Sequence, residues 1–171
     1  VLSTGERTAV LKGHTDGVCG LALRGGLLVS GSYDKTVRLW REASCVAVLR
    51  EHTDIVWSIA LGSGARGEVA VSASEDNTVK VWPLDEGTAS LATLRHPNWV
   101  RSVSVERDVL ATACMDGKVR TWSLVTLECT RTFEAHDGWV CTVRLLGGVL
   151  VSGGDDDKRA KVWELEDGGA A

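Results

Sequence analysis

One segment occurs four times along the chain, and this repetition leaves few folds open. The four versions are SGSYDKTVRLW (30–40), SASEDNTVKVW (72–82), TACMDGKVRTW (112–122) and SGGDDDKRAKVW (152–163). Each ends in a tryptophan, and consecutive tryptophans are 42, 40 and 41 residues apart. All four histidines belong to the same repeat, with spacings of 38, 44 and 40 residues. A period of this length is typical of folds that stack one supersecondary unit several times.

Each unit contains short apolar or alternating runs that are separated by turn residues, which indicates strands rather than helices. In the first unit these runs lie at 18–23, 27–32, 36–40 and 45–49. The β-branched run before each tryptophan suits a central strand with both faces buried. The sequence therefore predicts an all-β fold with four strands in each unit.

The repeat length, the four strands, the histidine at the start and the tryptophan near the end of each unit resemble the WD-repeat family of β-propellers. The resemblance covers nearly the whole chain and implies a single domain, 1–171, with four blades. The implied repeats are approximately 12–50, 51–94, 95–134 and 135–166, with a closing strand at 8–11 and a flexible tail at 167–171. In this family a closing strand from the N-terminus completes the sheet of the last blade.

Most WD-repeat propellers have seven blades, so four blades leave three arrangements open. They are a strained ring of four blades, an open arc of a larger propeller, and two chains that pair into an eight-bladed ring. An arc exposes sheet faces and edges, which favours pairing. We favour the partial propeller, with a homodimer that completes a ring as an alternative.

The repeated polar residues are expected to be structural, because four copies of a catalytic set in one small domain are implausible and every blade must satisfy its buried polar groups. In WD-repeat proteins the matching positions form a hydrogen-bonded chain of tryptophan, hydroxyl, histidine and aspartate. The implied sets are Trp40, Ser30, His14 and Asp34; Trp82, Ser72, His52 and Asp76; Trp122, Thr112, His96 and Asp116; and Trp163, Ser152, His136 and Asp156. The fourth unit has one extra residue, so Asp157 is an alternative to Asp156.

Propellers bind their partners at the rim of the central channel, on loops and strand ends that rigid blades hold in place. The family's geometry implies three rim positions in each blade. The implied partner-binding residues are Tyr33, Trp57, Glu75, Trp99, Arg101, Met115, Trp139 and Asp155, with Gly17, Cys19, Ile55 and Cys141 at the other positions. Aromatic residues and arginine dominate interface hot spots, and a guanidinium can bind a carboxylate or phosphate through two hydrogen bonds. The alternatives are tryptophans that fill space between blades and an Arg101 that is either a solvated charge or paired with Glu75 or Asp116.

A finer resemblance is to the WD domains of F-box substrate receptors and related ubiquitin-ligase subunits. It depends on compact first turns such as LALRGGLLVSGS and on fourth strands such as SCVAVLREH and LECTRTFEAH. In the receptors that read phosphorylated degrons, rim arginines bind phosphate, and here Arg101 matches such a position. The resemblance implies a substrate-recognition role, although no F-box or RING segment occurs in the sequence.

Composition argues against several other functions. The net charge is −4 with the basic residues scattered among acidic ones, so no basic stripe favours nucleic acid. No apolar run approaches the ~20 residues of a spanning helix. We therefore expect a soluble protein of the cytoplasm or nucleus that binds a protein or peptide, with no nucleic-acid or membrane partner.

We expect no catalytic residue, no cofactor and no metal. The alternatives are a propeller enzyme or metal-binding protein that uses the acidic run at 155–157, and a nucleic-acid binder. The five cysteines, an odd number without a C-x-x-C pair, are expected to be buried free thiols.

Overall fold

The structure, a computed structural model, describes residues 8–64, 67–85 and 87–165. Within these residues the chain contains strands and no helix, which confirms the predicted all-β class. The strands are β1 (Val18–Arg24), β2 (Leu27–Ser32), β3 (Val37–Arg41), β4 (Ser44–Leu49), β5 (Val56–Gly64), β6 (Gly67–Ser74), β7 (Thr78–Pro83), β8 (Ala92–Arg95), β9 (Val100–Glu106), β10 (Val109–Cys114), β11 (Lys118–Ser123), β12 (Cys129–Glu134), β13 (Val140–Leu146), β14 (Val149–Gly154) and β15 (Ala160–Glu164). No helix that could cross a membrane occurs in this part of the chain. The tail predicted at 167–171 lies outside the described residues.

Four antiparallel sheets form the four predicted blades, and within each sheet the strands follow chain order. Blade A contains β1 to β4, blade B β5 to β8, blade C β9 to β12, and blade D β13 to β15. The turn between β1 and β2 shows why glycine is needed. Gly25 and Gly26 both have positive φ, 54° and 77°, which matches the geometry of a two-residue hairpin turn. Gly147 and Gly148 repeat this turn in blade D.

The blades pack face to face, so the hydrophobic core consists of three layers between them. In the first layer, Val29 and Leu39 of blade A are buried with Ile59 and Trp82 of blade B. Equivalent positions fill the layers between blades B and C and between blades C and D. The inner strands β1, β5, β9 and β13 pack side by side in that order. Blades B and C therefore each present one face to the preceding blade and the other face to the following blade.

The four blades form an open arc, because within the described residues no strand of blade D packs extensively against a strand of blade A. Leu21 on β1 is 62% exposed, whereas the equivalent Ile59 and Val103 of blades B and C are 7% and 2% exposed. At the other end, Val162 on β15 is 68% exposed, whereas the equivalent Val81 of blade B is 1% exposed. Of the three arrangements that the sequence left open, the single chain adopts the arc.

The closing strand predicted at 8–11 is not present in the structure. Residues 8–11 are in no strand, and the sheet of blade D has three strands instead of four. The open arc explains the difference, because residues 8–11 lead into blade A while the unpaired edge of β15 lies in blade D. Gly13 lies against the Trp40 and Arg38 side chains, which places this segment at the blade A end of the arc.

The cysteines are free thiols, as predicted, but most are not buried. Cys114 is buried and Cys141 is partly buried, whereas Cys19, Cys45 and Cys129 are exposed. Cys45 and Cys129 lie on the outermost strands of their sheets, β4 and β12, where no further strand covers them. Cys19 and Cys141 lie on inner strands at the channel.

Candidate functional site

The hydrogen-bonded chain implied for each blade is complete in blade A. The Trp40 indole Nε1 donates to Ser30 Oγ at 2.8 Å, and Ser30 Oγ lies 2.7 Å from His14 Nε2. His14 Nδ1 lies 2.8 Å from Asp34 Oδ2. The indole nitrogen is only a donor, whereas the hydroxyl both donates and accepts, so the order of residue types satisfies every member. Blade B has the same chain with the same three distances, through Trp82, Ser72, His52 and Asp76.

The aspartates of these two chains are held in the ionised form. Burial raises the pKa of Asp34, but hydrogen bonds from Thr36, His14 and the backbone together lower it by more. The pKa is therefore far below the ordinary value of an aspartate. The pKa of Asp76 is lowered in the same way, against the effect of burial, by His52 and Thr78. These carboxylates are therefore committed to structural hydrogen bonds at neutral pH.

Blade C departs from the predicted chain, because Asp116 does not contact His96. Asp116 instead forms an ion pair with Arg120, with Oδ2 and Nη2 2.6 Å apart. His96 keeps its hydroxyl partner, since Nε2 lies 2.9 Å from Thr112 Oγ1, but Nδ1 faces the Leu94 carbonyl oxygen at 3.2 Å. Burial, together with the Arg120 charge, lowers the pKa of His96 to about 4.

A sequence difference two residues after the aspartate accompanies this change of partner. The threonine that donates to the aspartate in blades A and B, Thr36 and Thr78, is replaced in blade C by Lys118. Without that hydroxyl beside it, Asp116 binds the guanidinium of Arg120 on the neighbouring strand.

In blade D the acidic member is Asp157 and not Asp156. His136 Nδ1 lies 2.8 Å from Asp157 Oδ2, His136 Nε2 lies 2.9 Å from Ser152 Oγ, and the Trp163 indole donates to the same oxygen at 3.1 Å. The extra residue in this turn moves the aspartate one position along the chain, and Asp156 is exposed. The choice between the two was open in the sequence and is resolved by this contact.

The predicted rim positions lie together, because one backbone hydrogen bond recurs in every blade. The residue before the turn aspartate donates its N–H to the carbonyl oxygen of the residue that precedes the inner strand, at 2.9 to 3.0 Å. The pairs are Tyr33 with Gly17, Glu75 with Ile55, Met115 with Trp99, and Asp155 with Trp139. Two of the three predicted positions are therefore adjacent in each blade, next to the start of its inner strand.

A β-bulge places the remaining rim position in each blade. The pairing of every inner strand with its neighbour shifts by one residue near the start of the inner strand, between Val18 and Gly20 in blade A and at the equivalent place in the others. The residues left out of the ladder are Cys19, Trp57, Arg101 and Cys141. A bulged residue is unpaired and its side chain is redirected. These four side chains are thus freed from the sheet and line the mouth of the channel.

Three rim side chains from three different blades form a row. The rings of Tyr33 and Trp57 pack edge to face with centroids 5.3 Å apart. The Arg101 guanidinium lies over Trp57, with its central carbon 3.7 Å from the centroid of a Trp57 ring. The Trp57 indole donates to Glu75 at 3.1 Å, which fixes the orientation of the ring. This row is an aromatic surface that ends in a cation.

Arg101 has no carboxylate within ion-pair distance in the described part of the chain. Glu75 is engaged by the Trp57 indole and Asp116 by Arg120, so neither forms the pair that the sequence left open. Its charge acts across the channel: burial raises the pKa of the Cys19 thiol, and the Arg101 charge opposes this effect.

Trp99 and Trp139 are separate from this row. They are 39% and 48% exposed, so neither fills the space between blades. Trp139 and Met115 line a shallow cavity between blades C and D, together with Asp156. The rim therefore has an aromatic row over blades A to C and a second, mixed surface between blades C and D, where Trp139 and Met115 lie beside aspartates.

The sequence predicts a central channel and its rim, but not all of the residues that line the channel. A cavity of about 420 Å³ runs along the four inner strands, and its lining includes Arg101 and Arg144 but no aspartate or glutamate among the described residues. Arg144 Nη1 donates to Ser102 Oγ at 3.3 Å and to the Val143 carbonyl oxygen at 2.8 Å. Arg144 was not among the predicted site residues, because its position lies deeper along β13 than the three rim positions. The channel is therefore positively charged although the chain as a whole is acidic.

The acidic run at 155–157 is divided between a structural contact and exposed side chains in the described part of the chain. Asp157 binds His136, and no group of three or more potential ligands is arranged around a common point in the part of the chain that the structure describes.

The comparison with protein families matches the repeat found in the sequence. The model of the WD domain, G-beta repeat, matches residues 5–41, 43–83, 88–123 and 127–164. The chain belongs to the WD-repeat family. Each matched repeat ends shortly after its structural tryptophan, so a WD repeat begins with the outer strand of the preceding blade. The second repeat, for example, contains β4 of blade A together with β5 to β7 of blade B.

Named relatives place this WD-repeat chain in the family without fixing its role. Cell division control protein 4 of Candida albicans is 32% identical over 163 residues, which cover 94% of this chain and 23% of that protein. The chain spans about a quarter of the length of the relatives that it matches first.

Solved structures agree on the fold. The WD40 β-propeller domain of Doa1 aligns with a TM-score of 0.81 and 31% identity, over 92% of this chain and 53% of that chain. The computationally designed Ika4 protein aligns with a TM-score of 0.83 and 24% identity, over 94% of this chain and 99% of that chain. The WD-repeat propeller architecture with four blades is confirmed.

Proposed function

We propose that this chain is a non-catalytic scaffold that binds an acidic segment of a protein partner at the rim of the arc. The observation that carries the proposal is the row formed by Tyr33, Trp57 and Arg101. It combines an aromatic surface with a guanidinium that lacks a carboxylate partner among the described residues, at the mouth of a channel lined by arginines.

Physical chemistry favours an anionic ligand at this place. A guanidinium stacked on an indole is already oriented, so less side-chain entropy is lost when it binds a carboxylate or phosphate. The ring faces offer apolar area beside the charge, and Tyr33, at 40% exposure, is accessible from the rim. Arg144 extends the positive field into the channel. The overall charge of −4 opposes a nucleic-acid partner, which carries far more negative charge than a short peptide.

A direct test uses two fluorescein-labelled peptide pools of equal length, one rich in aspartate and glutamate and one rich in lysine. Fluorescence polarisation is expected to show binding of the acidic pool, with weaker binding at higher salt. Arg101→Ala and Trp57→Ala are each expected to lower the affinity by roughly 2 kcal/mol, or about 30-fold, without a change in thermal stability.

Arg107→Ala is the matched control, because Arg107 is exposed in the turn between β9 and β10, away from the rim. It is expected to bind the acidic pool as the unmodified chain does. Equal affinity of the Arg101→Ala variant, or preference for the lysine-rich pool, would contradict the proposal. If Trp57→Ala unfolds the chain, the indole is a core residue and Arg101→Ala decides the question.

A finer proposal is that the anion is a phosphate, as in a substrate-recognition part of a ubiquitin ligase. It is supported by the sequence resemblance to such WD domains and by the presence of Arg144 as a second guanidinium in the channel. A peptide from the acidic pool and its phosphoserine form distinguish the two possibilities. At least tenfold tighter binding of the phosphorylated form, lost in Arg144→Ala, supports phosphate reading, and equal binding of both forms excludes it.

A further inference from the structure

The two ends of the arc carry the two halves of one blade interface. In each of the three existing layers, the leading blade supplies positions equivalent to Val151 and Val162 of blade D, and these are buried. The following blade supplies positions equivalent to Leu21 and Leu23 of blade A. In this chain those four side chains are the exposed ones, between 38% and 72% accessible. The blade D face, defined by Val151 and Val162, is thus complementary by position to the blade A face, defined by Leu21 and Leu23.

A polar contact found in two of the three existing interfaces also has its two halves at the ends. Ser58 of blade B accepts a hydrogen bond from the Val103 N–H of blade C at 3.2 Å, and Ser102 of blade C accepts one from the Val143 N–H of blade D at 3.3 Å. The next hydroxyl in this series is Thr142 of blade D, which is exposed. The equivalent N–H on blade A belongs to Leu21.

An ionic contact of the interface between blades A and B also has candidate halves at the two ends of the arc. Lys35 of blade A donates to the Thr53 carbonyl oxygen of blade B at 2.9 Å and lies 3.8 Å from Asp54. Lys158 holds the equivalent position in blade D, directly after the network aspartate and with the same positive φ, 55° against 67°. The equivalents of Thr53 and Asp54 in blade A are Thr15 and Asp16.

The free edge of β15 has a matching segment as well. In blade A the outer strand β4 ends in Ala-Val-Leu (47–49) shortly before His52, and the same three residues at 9–11 precede His14. Leu39 on β3 pairs with Ala47 on β4, and Val162 on β15 is the equivalent of Leu39. Residues 9–11 lie at the blade A end of the arc. If blade D of a second copy packed on blade A, its β15 would lie next to these residues.

We propose that two copies of this chain associate end to end, blade D of each on blade A of the other, and close one ring. In this ring Val151 and Val162 cover Leu21 and Leu23, Lys158 meets Asp16, and residues 9–11 of one copy complete the sheet of blade D in its partner. Two identical interfaces related by a twofold axis leave no end exposed. The chain aligns with 53% of the Doa1 propeller domain, so two such arcs supply about as much chain as one complete propeller.

The test is the mass of the full chain in solution, by sedimentation velocity and light scattering over a wide concentration range. The expected result is twice the 18.3 kDa of one chain, with no larger species. Val162→Glu is expected to weaken association at least 100-fold, because it buries a carboxylate in an apolar face. Val125→Glu is the matched control, since Val125 is 51% exposed in a turn of blade C, and it is expected to keep the double mass.

A charge exchange tests the register of the interface and does not depend on a core substitution. Lys158→Asp and Asp16→Lys are each expected to weaken association about tenfold, and the double variant is expected to restore it. Circular dichroism shows that each variant is folded. A single-chain mass at all concentrations, an open-ended ladder of larger species, or a double variant that is no better than the single variants overturns the proposal. Binding of the acidic peptide pool, measured in parallel on Val162→Glu, is independent of the result.

Discussion

At the scale of single residues, the four blades show how one substitution redirects a hydrogen-bond network. His14 and His52 each lie within hydrogen-bond distance of a carboxylate, whereas His96 is left with a hydroxyl and a backbone carbonyl because Arg120 binds Asp116. A buried imidazole without an anionic partner is stable only in its neutral form. Blade C is therefore the part of the molecule whose stability is most sensitive to mild acid.

This difference predicts a specific pH dependence. His96 has a pKa of about 4 in the folded chain and ~6.5 when unfolded, so the unfolded state binds the proton first. The contribution of neutral His96 is fully present above pH ~6.5 and is lost as the pH falls from ~6.5 to ~4, by roughly 3 kcal/mol in the free energy of unfolding. Urea denaturation between these pH values measures it, and NMR titration of the imidazole signals identifies the residue.

His96→Gln is the comparison variant, because an amide can still contact Thr112 but does not titrate. Its unfolding free energy is expected to change less between pH ~6.5 and ~4. An equal slope for both proteins would contradict the assignment to His96. Below pH ~4 both chains are expected to lose stability further, since the lowered pKa values of Asp34 and Asp76 make protonation of these carboxylates unfavourable to the fold.

The sequence predicts which residue types form the hydrogen-bond network, but it does not predict the partner of every residue in it. The repeat fixes which positions face each other in a blade, and that is enough for Trp40, Ser30, His14 and Asp34. It does not show whether His96 or Arg120 binds the Asp116 carboxylate, which is why the partner of Asp116 was missed. Arg144 was missed because its side chain reaches the channel through contacts with Ser102 and a carbonyl oxygen that depend on the neighbouring blade.

At the scale of elements, turns and bulges carry most of the difference between blades. The residue after each network aspartate has positive φ, and it is Lys35, Asn77, Gly117 or Lys158. In blade C the residue is glycine, and a Cβ at Gly117 would lie 2.7 Å from the His136 carbonyl oxygen. The backbone of blade D thus approaches this turn more closely than a larger residue allows.

Gly117→Ala is therefore expected to destabilise the chain by about 2–3 kcal/mol, from the strain of positive φ together with a backbone clash. Chemical denaturation measures the change. Gly25→Ala is the control, because Gly25 has a φ of 54° but nothing within 4 Å of its added Cβ, and its cost is expected to be about 1 kcal/mol. Similar losses for the two variants would show that the contact with His136 is not tight.

The elements themselves were the most predictable part of the molecule. Alternation and turn residues located the strands of the first unit to within a residue or two, because each strand has one or two buried faces. The segment at 8–11 has the pattern of a strand and yet forms none. A strand requires the free edge of another strand to pair with. The pattern of residues 8–11 does not show that the free edge of β15 lies at the other end of the arc.

At the scale of the whole molecule, the arc distributes stability unevenly. Blades B and C are covered on both faces, whereas blades A and D each have one open face, and β15 also has an unpaired edge. In repeat folds stability is approximately the sum of the units and their interfaces. The end blades are therefore expected to open before the central ones.

Hydrogen exchange measures this gradient. In the Val162→Glu chain, studied as a single copy, amides of β6 and β10 are expected to exchange slowest, and amides of β13 to β15 fastest among the blades. In the unmodified chain, dilution is expected to accelerate exchange at β1 and β15 while β6 and β10 keep their rates. Uniform protection of all four blades in the single copy would show that the arc unfolds as one cooperative unit.

The bulge at the start of each inner strand has a consequence for engineering. Cys19, Trp57, Arg101 and Cys141 occupy the same backbone position in four blades, and one scaffold accommodates all three residue types there. A combinatorial library that randomises only these positions can therefore search for new ligand specificities while the three core layers remain as they are. The wide chemical range already found at this position makes the chain a suitable framework for selected binding reagents.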